Sequence, residues 1–249
     1  MRISRVGRGA AGALLALMLA MGIVGSGVVA QDSTPEASAD FPVTITFVNA
    51  MTSLDAVDVY INGDDKDQRV VEGLAYGDTS AEFTGTAPAT AILVKQNVSW
   101  GIDRWLYNTL VPTEAGKSYV IVISDFVIIP VVLDTSHTVG ATARTIGVNA
   151  SSQSPALDVY ATPSGQQFSI GNLVPLITNL QYGFSTGGGT ADPGSYDLRA
   201  TATGTDTVAL QQDGVTIEAN TSYVFVVIGK PGSTEQPLTL VTVSKPLSA

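Results

Sequence analysis

The chain has 249 residues, with 12 Lys and Arg against 22 Asp and Glu, and a formal net charge of −10 at pH 7. A surface this acidic repels the phosphates of nucleic acids and of anionic lipid headgroups, so we expect no nucleic-acid partner. The absence of cysteine excludes disulfides and thiolate metal sites, so an apolar core alone must stabilise the fold.

Residues 1–30 have the layout of a secretory signal peptide. A start with three arginines precedes an uncharged, apolar run from Gly9 to Ala30 that ends in the small residues "VVA". We predict cleavage after Ala30 and export to the cell surface or the extracellular space. A retained membrane-spanning helix is the alternative, because the run is long enough to span. No second apolar stretch of that length follows.

Residues 31–40, "QDSTPEASAD", are small, polar and acidic, and we predict a disordered linker. From residue 41 the pattern changes, because "FPVTITFVNA" and then "AVDVYING" alternate apolar and polar residues as half-buried strands do. The predicted inward positions are Val43, Ile45, Phe47, Val57, Val59 and Ile61. Asn62 and Gly63 tolerate the positive φ of a tight turn and predict a hairpin.

Four more segments have strand character: Ala91–Lys95, Arg104–Val111, Tyr119–Ser124 and Phe126–Leu133. After residue 40 no segment keeps a helical period over three turns, and Gly or Pro interrupts the chain about every ten residues. The sequence therefore predicts an all-β protein.

The sequence repeats itself. "VNAMTSLDAVDVY" at 48–60 recurs as "VNASSQSPALDVY" at 148–160, and "LAYG", "AGKSYVIVIS" and "PVVL" are echoed in the same order by "LQYG", "ANTSYVFVVIG" and "PLTL". A period near 100 residues is the size of one β-sandwich. We predict two consecutive immunoglobulin-like antiparallel β-sandwich domains that arose by duplication, residues 41–136 and 137–249. Residues 137–249 should then fold alone.

The repeated stretch places a carboxylate and a tyrosine in each copy, Asp58 with Tyr60 and Asp158 with Tyr160. We expect each tyrosine ring to pack inside while its hydroxyl reaches a backbone partner, as for the repeated Tyr119 and Tyr223. Two interpretations of the aspartates stay open. Each carboxylate contributes to a ligand or cation site used once per domain, or it accepts N–H groups of a neighbouring loop.

These repeated residues resemble the signature of the bacterial domain-of-unknown-function family numbered 4397, over essentially all of residues 41–249. In that family the pattern runs Val-His-Ala-Ser-Pro-Asp-Ala-Pro, then an apolar residue and Asp-Val-Tyr-Val-Asn-Gly. The family's histidine is Asn49 in the first copy and Asn149 in the second, so protonation or metal binding by a histidine is excluded there. The resemblance implies exported or cell-surface proteins with sandwich-like repeats and no known reaction.

Catalytic patterns are weak. "GFSTG" at 183–187 matches the G-x-S-x-G nucleophile elbow, but a glycine-rich segment follows instead of a helix. The only histidine, His137, stands at the predicted domain junction, where it cannot build a histidine-rich zinc site alone. We expect no enzyme, no metal and no cofactor. Paired carboxylates for glycan hydrolysis stay open as an alternative, because the chain has many acids.

Two further segments are candidates for binding. The acidic tip "NGDDKDQ", with Asp64, Asp65 and Asp67, suggests either a solvated hairpin tip or weak calcium binding, without the order of an EF-hand. The segment "NVSWGIDRWLYN" at 97–108 has the residue types that binding surfaces enrich. Its candidate ligand-binding residues are Trp100, Arg104, Trp105 and Tyr107. The alternative is that Trp105 and Tyr107 share one strand face in the core.

The sequence favours an exported, non-catalytic module for surface binding, adhesion or envelope structure, whose partner is a glycan or a component of the cell envelope. A glycan hydrolase and a calcium-stabilised surface protein are the alternatives.

Overall fold

The computed structural model describes residues 42–63, 68–96, 104–133, 141–187 and 189–247. These residues belong to one compact unit, Asp40–Ala249. The signal segment, the linker, the acidic tip at 64–67, Trp100 and His137 lie outside the described residues, so the expectations about them stay predictions. Within the described ranges, no helix has the length and apolar character needed to cross a membrane.

The first half contains eight strands in two four-stranded sheets. They are β1 (Pro42–Asn49), β2 (Ala56–Ile61), β3 (Arg69–Ala75), β4 (Phe83–Thr86), β5 (Ala89–Gln96), β6 (Trp105–Pro112), β7 (Ser118–Ile123) and β8 (Ile128–Leu133). One sheet has the order β4-β1-β7-β8 and the other β3-β2-β5-β6.

The second half repeats this plan. Its strands are β9 (Ala143–Asn149), β10 (Leu157–Pro163), β11 (Ile177–Leu180), β12 (Ser185–Thr186), β13 (Thr190–Ala191), β14 (Gly194–Ala202), β15 (Val208–Ile217), β16 (Thr221–Ile228) and β17 (Thr239–Pro246). Its sheets run β11-β10-β14-β15 and β12-β9-β16-β17, with β13 also on β9. A 3-10 turn spans Ile170–Asn172. The all-β prediction of two consecutive sandwiches is confirmed.

The sheets are not wholly antiparallel, which corrects one detail of the prediction. Strand β1 pairs with β7 in parallel, and β9 pairs with β16 in the same way. In each half the chain crosses to the other sheet before it returns, so the returning strand can lie beside the first in the same direction.

Each half encloses an apolar core between its two sheets. The predicted inward residues of β1 and β2 all belong to the first core. The second core has the equivalent positions Leu157 and Val159 of β10. The alternation of apolar and polar residues therefore predicted the inward side chains correctly, because successive residues of a strand face opposite sides of the sheet.

A third apolar core lies between the halves. Strands β7 and β16 are buried along their whole length, because each has an apolar layer on both faces. In β7, Tyr119 and Ile121 face the first core, whereas Val120 and Val122 face the second half. The members of this third core are Val48, Ala50, Val120, Val122, Ile129, Val131, Leu133, Val148, Ala150, Val224, Val226, Ile228 and Val243. The sheets containing β7 and β16 therefore pack face to face.

Candidate functional site

A buried asparagine fixes the repeated motif in each half. Asn49 Oδ1 accepts the N–H of Met51 at 3.0 Å, and its Nδ2 donates to the carbonyl of Leu74 at 2.9 Å. Asn149 makes the same two kinds of bond, to the N–H of Ser151 and the carbonyl of Leu180. The repeated "VNA" and "L-x-Y-G" segments are thus hydrogen-bonded to each other in both halves.

The repeated aspartates accept hydrogen bonds from backbone N–H groups of the neighbouring strands β3 and β11. Asp58 Oδ1 accepts the N–H of Gly73 at 2.7 Å, and Asp158 Oδ1 accepts the N–H of Asn179 at 2.7 Å. Asp158 also accepts the Thr203 hydroxyl at 3.0 Å. This geometry matches the structural interpretation of the two carboxylates. Neither residue lines either of the clefts described below.

The repeated tyrosines divide into two kinds. Tyr119 and Tyr223 pack in the cores, and their hydroxyls accept the N–H of Glu114 at 2.7 Å and of Glu218 at 2.8 Å. These are tyrosine corners, in which the hydroxyl bonds the backbone a few residues upstream. Tyr60 belongs to neither sandwich core. It alternates with the inward Val59 and contacts Trp105, with ring centroids 6.4 Å apart.

Tyr160 likewise contacts a ring outside the second core. Its centroid lies 5.6 Å from that of Phe168 in an edge-to-face arrangement, and it alternates with the inward Val159. The expectation that the rings of Tyr60 and Tyr160 pack inside the sandwiches is therefore wrong. Both rings are nevertheless buried, because other side chains of the outer faces cover them.

A β-bulge in β6 separates the two aromatic candidates of that strand. Lys95 lies opposite Trp105, but the adjacent Val94 lies opposite Tyr107, so Leu106 is an extra residue. Tyr107 packs against the first core, whereas Trp105 is 42% exposed on the other face. The core interpretation is wrong for Trp105, because the bulge interrupts the period of two.

Trp105 is held in place on that outer face. The Lys95 ammonium lies 4.1 Å from the centre of the indole ring and 4.7 Å from the centre of the Tyr60 ring. Cation–π contacts of this length stabilise the ring orientation. The indole is therefore an exposed ring in a defined position.

The turn between β7 and β8 is fixed from both halves. The Tyr107 hydroxyl donates to the Ser124 carbonyl at 2.7 Å, and the Ser124 and Tyr182 hydroxyls lie 3.1 Å apart. Burial, followed by the charges of Tyr182 and Asp125, raises the pKa of Tyr107 to about 12. The hydroxyl therefore stays protonated and donates throughout the physiological pH range. The turn presents Phe126 to solvent at 77% exposure.

This turn and the start of β6 border an open cleft of about 480 Å³, which we call the first cleft. It brings together three of the four predicted ligand-binding residues, Arg104, Trp105 and Tyr107. Asp125 and Phe126 also line it. Sequence reasoning missed these two, although an apolar Phe in the short turn "SDF" is an available signal.

A second cleft of about 380 Å³ adjoins the first and shares Ser53, Asp125 and Phe126 with it. The loops that follow β1 and β9 meet here, because Thr52 and Ser53 line one side and Ser152 and Gln153 the other. Lys230, just after β16, completes the lining. The two clefts, together called the groove, are thus built from equivalent loops of the two repeats.

Asp125 is the only carboxylate among the described residues that line the groove. It accepts the Thr52 hydroxyl at 2.6 Å and the Ser53 N–H at 3.1 Å.

Ser185 of the "GFSTG" segment lies in strand β12, not at a strand-to-helix turn. In the part of the chain that the structure describes, no group of three His, Asp or Glu side chains could hold a metal ion.

Fold and groove define the class: a tandem β-sandwich protein with an open groove at the loops of its repeats. The sequence matches the family described as Domain of unknown function (DUF4397) twice, over residues 43–160 and 148–249. The chain belongs to this family. No curated protein matches it significantly.

Among solved structures, the chain is similar to a carbohydrate-binding module of family CBM26 from Eubacterium rectale Amy13K, in complex with maltoheptaose. Identity is 14%, coverage 84% of this chain and 98% of that one, and the TM-score 0.24. For a protein from Parabacteroides distasonis that is assigned provisionally to cell adhesion, identity is 7%, coverage is 84% of this chain and 100% of that one, and the TM-score is 0.22. For a second such protein, from Bacteroides fragilis, identity is 9%, coverage is 78% of this chain and 84% of that one, and the TM-score is 0.18. At these TM-scores the likenesses carry no functional argument.

Proposed function

We propose that the protein is an exported, non-catalytic binding module that takes a glycan in the groove. The observation that carries this proposal is the exposure of two large aromatic rings at one cleft, Trp105 at 42% and Phe126 at 77%. Large aromatic side chains usually bury most of their area in a sandwich core. Exposed rings can instead pack against the apolar C–H faces of sugars.

Polar groups around the rings suit a sugar ligand. Asp125 can accept hydroxyl hydrogen bonds, and Arg104 and Ser53 can donate them. A cleft with a few placed polar groups among apolar ones is typical of small-ligand sites. The signal-peptide layout of residues 1–30 supports a cell-surface or extracellular location, where glycans are exposed.

Among the described residues, the lining of the groove does not provide the pair of carboxyl groups that hydrolysis of glycosidic bonds requires. That reaction uses two carboxyl groups on opposite sides of the scissile bond, whereas the described lining provides Asp125 alone. The Asp125 carboxylate already accepts two hydrogen bonds. Binding without turnover is therefore the better match to this geometry.

A glycan-array screen of the unit Asp40–Ala249 tests the proposal, followed by calorimetric titration of the oligosaccharide that binds best. Trp105→Ala and Phe126→Ala should each raise Kd about tenfold or more, because each removes one stacking surface worth about 1.4 kcal/mol or more. Phe184→Ala is the matched control, since Phe184 is 63% exposed and lines neither cleft. Binding that survives both groove variants, or no binding to any glycan, would contradict the proposal. Release of new reducing ends would contradict its non-catalytic part.

A further inference from the structure

Basic side chains of this acidic protein pair with carboxylates at several places. The ion pairs are Arg69 with Asp58 and Glu72, Arg199 with Asp213, and Lys245 with Glu82. Arg104 and Lys230, like Lys117, form no ion pair with a described residue. Both nevertheless line the groove, Arg104 in the first cleft and Lys230 in the second. The groove therefore keeps two cations available in a chain of net charge −10.

The two cations stand in different clefts of one groove. Arg104 precedes β6 in the first half, and Lys230 follows β16 in the second. Phe126 and Asp125 belong to both clefts and lie on the turn that Tyr107 and Tyr182 fix. A ligand that contacts both cations would have to extend through both clefts, past the shared Phe126.

We propose that the groove selects acidic oligosaccharides, with Arg104 and Lys230 binding separate anionic groups of one glycan chain. This inference rests on the function proposed above and names its ligand class. Arg presents a planar fork that matches carboxylate or sulfate, and Lys acts as a compact point charge. Trp105 and Phe126 take the sugar faces between the anionic groups.

The carboxylate of Asp125 is compatible with an acidic glycan. The hydroxyl of Thr52 and the N–H of Ser53 already bind it, and it can still accept a sugar hydroxyl. An acidic peptide also offers carboxylates, but it lacks the rigid rings with one apolar face and many hydroxyls. The combination of exposed aromatic rings, an acceptor and two cations favours the glycan.

Calorimetric titrations of the unit Asp40–Ala249 with matched hexasaccharides test the inference. The acidic probes are hexagalacturonate, hexamannuronate and a chondroitin sulfate hexasaccharide; the neutral probes are the methyl ester of hexagalacturonate, cellohexaose and mannohexaose. Poly-glutamate represents an acidic peptide. The variants are Lys230→Gln and Arg104→Gln. The control is Lys117→Gln, because Lys117 is exposed, lines neither cleft and has no ion pair among the described residues.

We expect at least one acidic hexasaccharide to bind at least about tenfold more tightly than every neutral one. Its binding should weaken as the salt concentration rises. The carboxylate and sulfate probes distinguish which anionic group is bound. Lys230→Gln and Arg104→Gln should each remove most of the preference, because they weaken the binding of acidic probes far more than that of neutral ones, and each should retain the unfolding temperature. Lys117→Gln should change nothing.

Two results would overturn the inference while leaving the proposed function intact. One is equal affinity for acidic and neutral sugars through Trp105, and the other is an acidic preference that both Gln variants retain. Tighter binding of poly-glutamate than of any sugar would overturn both, as would no binding at all.

Discussion

At the scale of single residues, Asn49 and Asn149 have the same structural role in the two copies of the repeated motif. Each amide accepts an N–H two residues along the chain and donates to a carbonyl at the end of another strand, with the side chain fully buried. The amide satisfies both groups without carrying a charge. A neutral cross-link of this kind fixes the loop that follows β1 or β9, and those loops line the groove.

Asn49→Asp should destabilise the protein by about 2–4 kcal/mol, because it removes the donor to Leu74 and buries a charge without changing the shape of the side chain. Urea denaturation at neutral pH measures the free energy of unfolding. Asn108→Asp, at an exposed position of β6, is the control and should change it by less than about 0.5 kcal/mol. Equal effects of the two variants would show that the amide of Asn49 has no such role.

Trp105→Ala should have only a small effect on stability, about 1 kcal/mol, since the indole is 42% exposed and its loss leaves no cavity in the first core. Phe47→Ala, which removes a fully buried ring from that core, should lower the free energy of unfolding by about 3–5 kcal/mol. Denaturant titrations of both variants make the comparison. A loss for Trp105→Ala as large as that for Phe47→Ala would place the indole in the core after all.

At the scale of strands, β1, β2 and β5–β8 were predictable from the sequence. Each either alternates apolar and polar residues or is a continuous apolar run. The parallel β1–β7 pairing was not predictable, because a strand's own sequence does not state its neighbour. The runs "SYVIVI" and "SYVFVVI" did contain an unused signal, since continuous apolar strands are typical of strands covered on both faces. That signal indicates the third core.

The turn between β7 and β8 should respond to alkaline pH through Tyr107, whose pKa burial raises to about 12. A raised pKa favours the protonated hydroxyl in the folded state. The resulting stabilisation is complete below about pH 10, the usual pKa of tyrosine, and is lost as the pH rises from about 10 to about 12. The free energy of unfolding should therefore fall more between pH 8 and pH 11 in the unsubstituted chain than in Tyr107→Phe. Urea denaturation at the two pH values measures this, and equal losses would exclude the role of Tyr107.

The groove shows where sequence reasoning about the site ended. Arg104, Trp105 and Tyr107 were predictable together because they are adjacent in one aromatic segment. Asp125 and Lys230 were not, because they come from turns of different repeats that only tertiary packing brings to one groove. The outward position of Trp105 depends on the bulge at Leu106, which the residue pattern does not reveal.

At the scale of the whole molecule, the third core makes the two sandwiches dependent on each other. We propose that residues 41–136 and 137–249 are two domains that unfold together, because the faces of β7 and β16 are covered only by the opposite half. The sequence-based expectation for 137–249 alone took no account of this face. A fragment of those residues would expose Val148, Val224 and Val226 to water.

The fragment 137–249 should therefore self-associate at micromolar concentration, whereas the unit Asp40–Ala249 keeps that surface covered. Sedimentation velocity measures the association. Replacing Val224 and Val226 by Thr in the fragment should reduce it, because these substitutions make the exposed face more polar. A monomeric fragment as stable as the full unit would contradict the coupling of the two domains.

If the groove between the repeat loops binds a glycan, NMR of the isotope-labelled unit Asp40–Ala249 will locate the ligand there. The titrant is the oligosaccharide that binds best in the array screen. We predict that the largest shift changes fall on the Trp105 indole N–H and on the backbone N–H groups of Ser53, Phe126, Gln153 and Lys230, all of which line the groove. Shift changes confined to another surface, such as the pocket at Phe168 and Asp206, would show that the glycan does not bind in the groove.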